Sequence, residues 1–198
     1  GRSHRLCEWA GWAGVMSLPL AVSLQPDGKL ALEPVPELEA LRGEYWHRED
    51  LELERRSPGL LDGMGGDCLE VVAEFEFEPG AEFGLGVRCS PDGQEQTRIV
   101  YRAADRKIAV ERSESSVSPD VERTERTAPI ELAEGGILKL HIFLDRSLLE
   151  IFVDGGRTCL VSRVYPLRPD SLGIGLFVRQ GSAKLKSLDV WALDPIWP

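Results

Sequence analysis

The feature that most constrains the fold is a strict alternation of apolar and polar residues, repeated in short runs along the chain. In the clearest run, residues 68–78, apolar side chains face one way while four glutamates and a valine face the other. A period of two is typical of a β-strand with one face in a core. Residues 138–166 repeat the pattern three times, with reversals at 146–147 and 154–156, and therefore predict an antiparallel meander.

About ten such short runs are separated by turn signals at spacings of about 8–12 residues. The one helical stretch is 34–42, where Pro36 suits a first helical turn and Gly43 suits an end. The Gly-rich segment 57–67 is predicted to be a loop. The sequence therefore predicts an all-β protein, a two-sheet antiparallel β-sandwich, with a concanavalin-like jelly roll as the expected strand arrangement.

The N-terminal residues 1–16 differ from the rest of the chain, because they contain Trp9, Trp12 and two glycines in a short span. We interpret them as a trailing strand and linker from a missing N-terminal domain, and 17–198 as the sandwich domain. A Trp side chain has a large apolar area, so burial against that missing domain is the expected role of both tryptophans.

Charge and cysteine content exclude several classes of function. The net charge of −10 leaves no basic stripe for nucleic acid, and no apolar run approaches the ~20 residues needed to cross a bilayer. The cysteines at 7, 68, 89 and 159 form no CxxC pair, so we expect reduced thiols and no zinc site, although two disulfides remain arithmetically open. The sequence predicts a soluble protein, cytoplasmic or secreted, with no metal or cofactor.

Six segments, in order along the chain, resemble the C-terminal part of family 32 glycoside hydrolases, the invertases, inulinases and levanases. They are GWAGVMSLP at 11–19, DRS at 145–147, EIFV at 150–153, SRVYP at 162–166, DSLGIGLF at 170–177 and LDVW…IWP at 188–198. The resemblance spans nearly the whole chain. It implies the β-sandwich that follows a five-bladed propeller in that family.

The resemblance also implies that the active site lies in the missing propeller. The family's nucleophile, transition-state stabiliser and acid/base belong to WxNDPNG-like, Arg-Asp-Pro and Glu-Cys motifs. This chain contains no Asn and neither of the other two motifs, so no catalytic residue carries over. The expected function is a non-catalytic module that stabilises the propeller of an enzyme hydrolysing β-fructosidic bonds in sucrose or fructans. The same module is a candidate for a homodimer contact.

Two glutamates, Glu74 and Glu76, come closest to a glycosidase carboxyl pair, since they lie about 6.5–7 Å apart along one strand face. Glu70 and Glu78 share that face, and a row of alternating carboxylates is expected to be solvated. We therefore predict no catalytic role for the row. His141 has no ligand-type neighbour and is expected to be structural.

The alternative function is a lectin-like carbohydrate-binding module with a fructan or sucrose ligand. Sandwich folds often bind glycans, which is an argument from fold analogy. Tyr45 and Trp46 are the candidate sugar-binding residues, because exposed aromatic rings stack on the apolar faces of sugars.

Overall fold

The computed structural model describes residues 4–53, 59–132 and 136–196, which form two six-stranded antiparallel sheets and a two-stranded ribbon. The elements are α1 (His4–Ala10), β1 (Leu20–Leu24), β2 (Leu30–Pro34), a 3₁₀ helix (Pro36–Leu41), β3 (Arg42–Glu52), β4 (Gly59–Gly65), β5 (Cys68–Phe77), β6 (Glu82–Cys89), β7 (Thr97–Arg102), β8 (Lys107–Glu111), β9 (Arg126–Pro129), β10 (Ile137–Asp145), β11 (Leu148–Val153), β12 (Thr158–Arg163), β13 (Gly173–Gln180) and β14 (Ala183–Leu193).

The strand order confirms the β-sandwich. The first sheet has the order β12-β11-β10-β5-β14-β3 and the second has the order β4-β13-β6-β7-β8-β9. The predicted meander is β10, β11 and β12, and β10 also pairs with β5, so that Leu140 lies opposite both Ala73 and Val153. The short helix predicted at 34–42 is the 3₁₀ helix.

The core lies between the two sheets, where the apolar positions of each alternating run face one another. An aromatic group stands at its centre: the rings of Phe75 and Phe83 are 5.3 Å apart, and those of Phe77 and Tyr101 are 5.2 Å apart. Burying each such side chain stabilises the fold by about 1.5–3 kcal/mol. The period-two pattern thus accounts for the packing of the two layers.

A third layer covers part of the outer face of the first sheet. Leu38 of the 3₁₀ helix packs with Phe143 and Phe152 of the sheet, and Leu18 and Leu20 pack against this cluster. The first sheet is therefore buried on both faces in this region. Polar residues on its outer face are removed from water there, which the alternating pattern alone does not predict.

The prediction of a trailing strand within residues 1–16 is wrong, because His4–Ala10 is an α-helix. Residues 1–3 lie outside the described part of the chain. The helix sequence HRLCEWA contains Arg, Leu, Glu and Ala, all good helix formers. His4 and Glu8, one turn apart, lie 3.3 Å from each other and support the helix.

The loop predicted at 57–67 is also wrong where the structure describes it, since Gly59–Gly65 forms β4. This strand pairs with β13 across a register shift between Gly173 and Gly175. Glycine has a poor intrinsic strand preference, but pairing with an existing strand overrides it. Residues 57 and 58 lie outside the described residues.

Candidate functional site

A groove of about 760 Å³ lies between the N-terminal segment and one end of the sandwich. One wall comes from α1 and the segment after it. The other comes from the β10–β11 turn and the segment after β12. The residues that line it are Leu6, Trp9, Trp12, Val15, Met16, Asp67, Arg88, Ser118, Val121, Asp145, Arg146, Ser147, Leu148, Val164, Tyr165, Pro166 and Leu167.

Large apolar side chains in this groove are open to solvent. Trp9 is 87% exposed, Met16 90% and Leu167 65%, while Trp12 is 43% exposed. The guanidinium of Arg163 lies over the Trp12 ring at 5.3 Å from its centroid. Both predicted interface tryptophans therefore line one groove. A contiguous apolar surface of this kind marks a site of interaction.

The segment that forms the groove wall is tied to the sandwich by Glu150. This side chain is buried on the outer face of β11, where its Oε2 accepts a hydrogen bond from the Leu18 N–H at 3.1 Å. Burial raises the pKa of Glu150, and the bond from Leu18 opposes that rise only in part. Glu150 thus fixes where the N-terminal segment meets the sheet.

A buried ion cluster on the same outer face joins β3, β5 and β10. Arg42 donates from Nε and Nη2 to the two carboxylate oxygens of Glu70, each at 2.7 Å, and His141 Nε2 lies 2.7 Å from Glu70 Oε1. Burial on its own raises the pKa of Glu70, but the bonds from Arg42 and His141 outweigh it and lower that pKa to about 2. The prediction that this glutamate is solvated is wrong, because its side chain is buried where Arg42 and His141 bind it.

The other glutamates of that row have ordinary partners. Glu74 lies 2.7 Å from Lys139, and Glu76 lies 3.5 Å from Lys186. Both carboxylates reach solvent, with 32% and 49% of their side chains exposed. The pair therefore lacks the desolvated member that glycoside cleavage requires.

The two candidate sugar-binding residues lie on opposite faces of β3. Tyr45 is half exposed, its hydroxyl donates to Asp189 Oδ1 at 2.6 Å, and its ring stacks on Trp191 at 5.3 Å. His47 Nδ1 also lies 2.8 Å from Asp189 Oδ1. Trp46 instead packs against the core between the sheets. Of the two candidates, only Tyr45 therefore lies on the outer face, and sugar binding by either residue stays a prediction.

A third buried carboxylate, that of Glu95, was not predicted from the sequence and organises the loops at the groove end of the sandwich. Glu95 is fully buried and accepts from the N–H groups of Val117, Leu167 and Arg168 at 2.8–3.0 Å, and from the hydroxyl of Ser171 at 2.6 Å. Burial raises its pKa, but these four bonds together lower it. No sequence signal distinguishes this glutamate in its turn-rich surroundings.

The remaining chemistry-bearing groups have no site-like arrangement in the part of the chain that the structure describes. No group of three His, Cys, Asp or Glu side chains there could hold a metal ion. The cysteines are all free thiols, and burial raises the pKa of the Cys89 thiol to about 12. Within residues 4–53, 59–132 and 136–196, no helix has the length and apolar character of a membrane span.

Comparison with known proteins identifies the family to which the chain is similar. The family model described as "Glycosyl hydrolases family 32 C terminal" matches residues 37–192. A levanase of Bacillus subtilis (strain 168) is 34% identical over 94% of this chain, and a sucrose-6-phosphate hydrolase of Zymomonas mobilis is 33% identical over 93%. The chain spans only 28% and 35% of the lengths of these two relatives.

A solved structure, that of fructan 1-exohydrolase IIa from Cichorium intybus, has the same fold with a TM-score of 0.89 at 24% sequence identity. The match covers 98% of this chain and 43% of that one. The family match extends over most of the sandwich and agrees with the segments that the sequence analysis singled out. The chain belongs to glycoside hydrolase family 32, of whose fructosidases it is the C-terminal domain.

Proposed function

We propose that this domain is a non-catalytic module that packs against and stabilises the catalytic propeller preceding it in the same polypeptide. The parent would hydrolyse β-fructosidic bonds, as the names of the relatives suggest. The observation that carries the proposal is the exposed apolar groove with Trp9 and Trp12 in its wall. The groove lies beside the first part of the chain, so a preceding domain is tethered next to it.

The energetics favour this role. Trp9 and Met16 are almost fully exposed, and each apolar Å² removed from water contributes about 25 cal/mol. Covering two such side chains by a neighbouring domain stabilises the covered state by several kcal/mol before the costs of ordering. The linker adds no large entropic penalty, because Glu150 already holds its end on the sheet.

The test compares this chain with the polypeptide extended to include the preceding domain. We expect this chain alone to release no fructose from sucrose or inulin, and the extended protein to unfold at a higher temperature than either part. Trp9→Ala together with Trp12→Ala should reduce that gain, whereas the same change at an exposed apolar residue away from the groove, Val161→Ala, should not. Turnover by this chain above a mock-purified control would contradict the proposal.

A second candidate function, sugar binding, is supported by the aromatic row on the outer face of β3 and β14. Tyr45 is half exposed, stacks on Trp191 and lies beside the carboxylate of Asp189, so it combines a flat ring with a hydrogen-bond acceptor. Isothermal titration calorimetry distinguishes the structural function from sugar binding. Titration with inulin, levan or sucrose should give no heat if the module is structural. A binding signal that Tyr45→Ala abolishes would support the sugar-binding alternative.

A further inference from the structure

Arg88 is a buried cation in the groove wall without a hydrogen-bond partner at two of its nitrogens. It lies at the end of β6, and its side chain is nine-tenths buried. Neither Nε nor Nη1 has a partner among the described residues. The nearest carboxylate oxygen, Oδ2 of Asp67, is 3.8 Å from Nη1, which is beyond hydrogen-bond distance.

This arrangement is unfavourable for the chain by itself. A guanidinium removed from water is stabilised only when its donors meet acceptors. Burial lowers the pKa of Arg88, and the carboxylates of Asp67 and Glu95 offset this only in part. By contrast, the buried arginine Arg112 has hydrogen-bond partners, since it donates to the carbonyl oxygens of Thr124 and Arg163.

The surroundings of Arg88 indicate what its missing partner is. The exposed tenth of its side chain lines the groove, whose other walls are mostly apolar. A second cation, Arg146, also lines this groove. A carboxylate is the strongest acceptor for a guanidinium, because both partners carry full charge.

We propose that the groove receives an apolar segment of the preceding domain that brings an Asp or Glu carboxylate to Arg88. This inference rests on the proposed function and adds the chemistry of the contact. The preceding domain is the occupant because α1 itself forms part of the groove wall, so that a domain joined to α1 has a high local concentration there. The relatives, which are about three times the length of this chain, have room for such a domain.

The test is Arg88→Met in two proteins, this chain and the extended polypeptide. In this chain the change removes a buried cation with two nitrogens that lack hydrogen-bond partners, so the Tm should stay level or rise by about 2–4 °C. In the extended polypeptide the same change leaves a carboxylate unpaired at the domain contact, so the Tm should fall by at least about 4 °C. Arg48→Met, an exposed residue on the edge strand β3 at the far side of the first sheet, is the control for the substitution itself and should do neither.

The outcomes separate this inference from the proposed function. If the two domains of the unmodified extended protein unfold independently, at the temperatures of the separate parts, the proposed function fails. If they unfold together but Arg88→Met lowers the Tm equally in both proteins, Arg88 serves the sandwich alone and only this inference is overturned. The carboxylate is found by changing each Asp and Glu of the preceding domain to Asn or Gln. One of these changes should lower the Tm of the extended protein but cause no further fall when Arg88→Met is already present. If every one of them lowers the Tm equally with and without Arg88→Met, no carboxylate pairs with Arg88 and the inference is overturned.

Discussion

Replacing Glu70 with Ala is expected to lower the free energy of unfolding by about 3–5 kcal/mol, a fall in Tm on the order of 10 °C. The carboxylate is almost completely buried and holds Arg42 by two bonds and His141 by one. Among the described residues, its removal leaves the partly buried Arg42 guanidinium with the exposed Glu39 carboxylate, 3.4 Å away, as its remaining ion-pair partner. Calorimetric unfolding of the variant measures the loss.

The matched control is Glu74→Ala, four residues along the same face of β5. Glu74 pairs with Lys139, and both side chains reach solvent, so its removal should cost no more than about 1 kcal/mol. Equal losses for the two variants would show that the Arg42–Glu70–His141 cluster contributes no more than a surface pair.

The same cluster predicts an acid-dependent stability. Glu70 has a pKa lowered to about 2 from 4.5, so in the folded state it stays ionised where the unfolded chain takes up a proton. Its contribution is therefore fully present above about pH 4.5 and is lost as the pH falls towards 2. Other carboxylates titrate in this range as well. The measurement is therefore the difference in stability between the unmodified protein and Glu70→Gln, which should shrink steadily from pH 5 to pH 2.

Replacing Glu95 with Ala is the second change with a large expected effect, about 3–5 kcal/mol. It leaves three backbone N–H groups, those of Val117, Leu167 and Arg168, without their acceptor in a partly buried place, and each such loss costs about 1–3 kcal/mol. Hydrogen exchange gives a local readout, since these three amides should lose protection while those of β5 keep theirs.

Asp170→Ala is the control for Glu95, because Asp170 belongs to the same group of loops but is exposed and pairs with Arg168 at 2.7 Å. It should change the stability by less than about 1 kcal/mol. Retained protection of the Val117 and Leu167 amides in Glu95→Ala would contradict the role given to this carboxylate. Leu167 lines the groove, so the variant should also weaken the contact with a preceding domain.

The two-layer part of the fold follows from the sequence, because an alternating run such as that of β5 has only one way to bury its apolar face. The third layer does not follow. Alternation assigns Glu70 and Glu150 to the outer face correctly, but it gives no information about what covers that face. The cover comes from the ribbon and the 3₁₀ helix, which are distant in sequence.

The error at β4 also arises because contacts distant in sequence decide the structure. The composition of the Gly-rich segment before β5 indicates a loop, and only pairing with β13, about a hundred residues later, makes it a strand. Trp46 shows the reverse case, in which an aromatic residue noticed for its chemistry is used for packing. Trp9 and Trp12 line one groove, as a Trp-rich segment outside the alternating pattern has little to pack against within the sandwich. Their burial against a preceding domain stays a prediction.

The bond from Leu18 to Glu150 has a consequence for how this domain can be recombined with others. Leu18 and Leu20 pack on the outer face of the first sheet, so they belong to the sandwich although they precede both six-stranded sheets in the chain. A chimaera joined after residue 20 would replace two of the leucines that pack on the Phe143–Phe152 surface, and Glu150 would keep a donor only if the new segment placed a backbone N–H where that of Leu18 lies. A join upstream of Leu18 preserves both features.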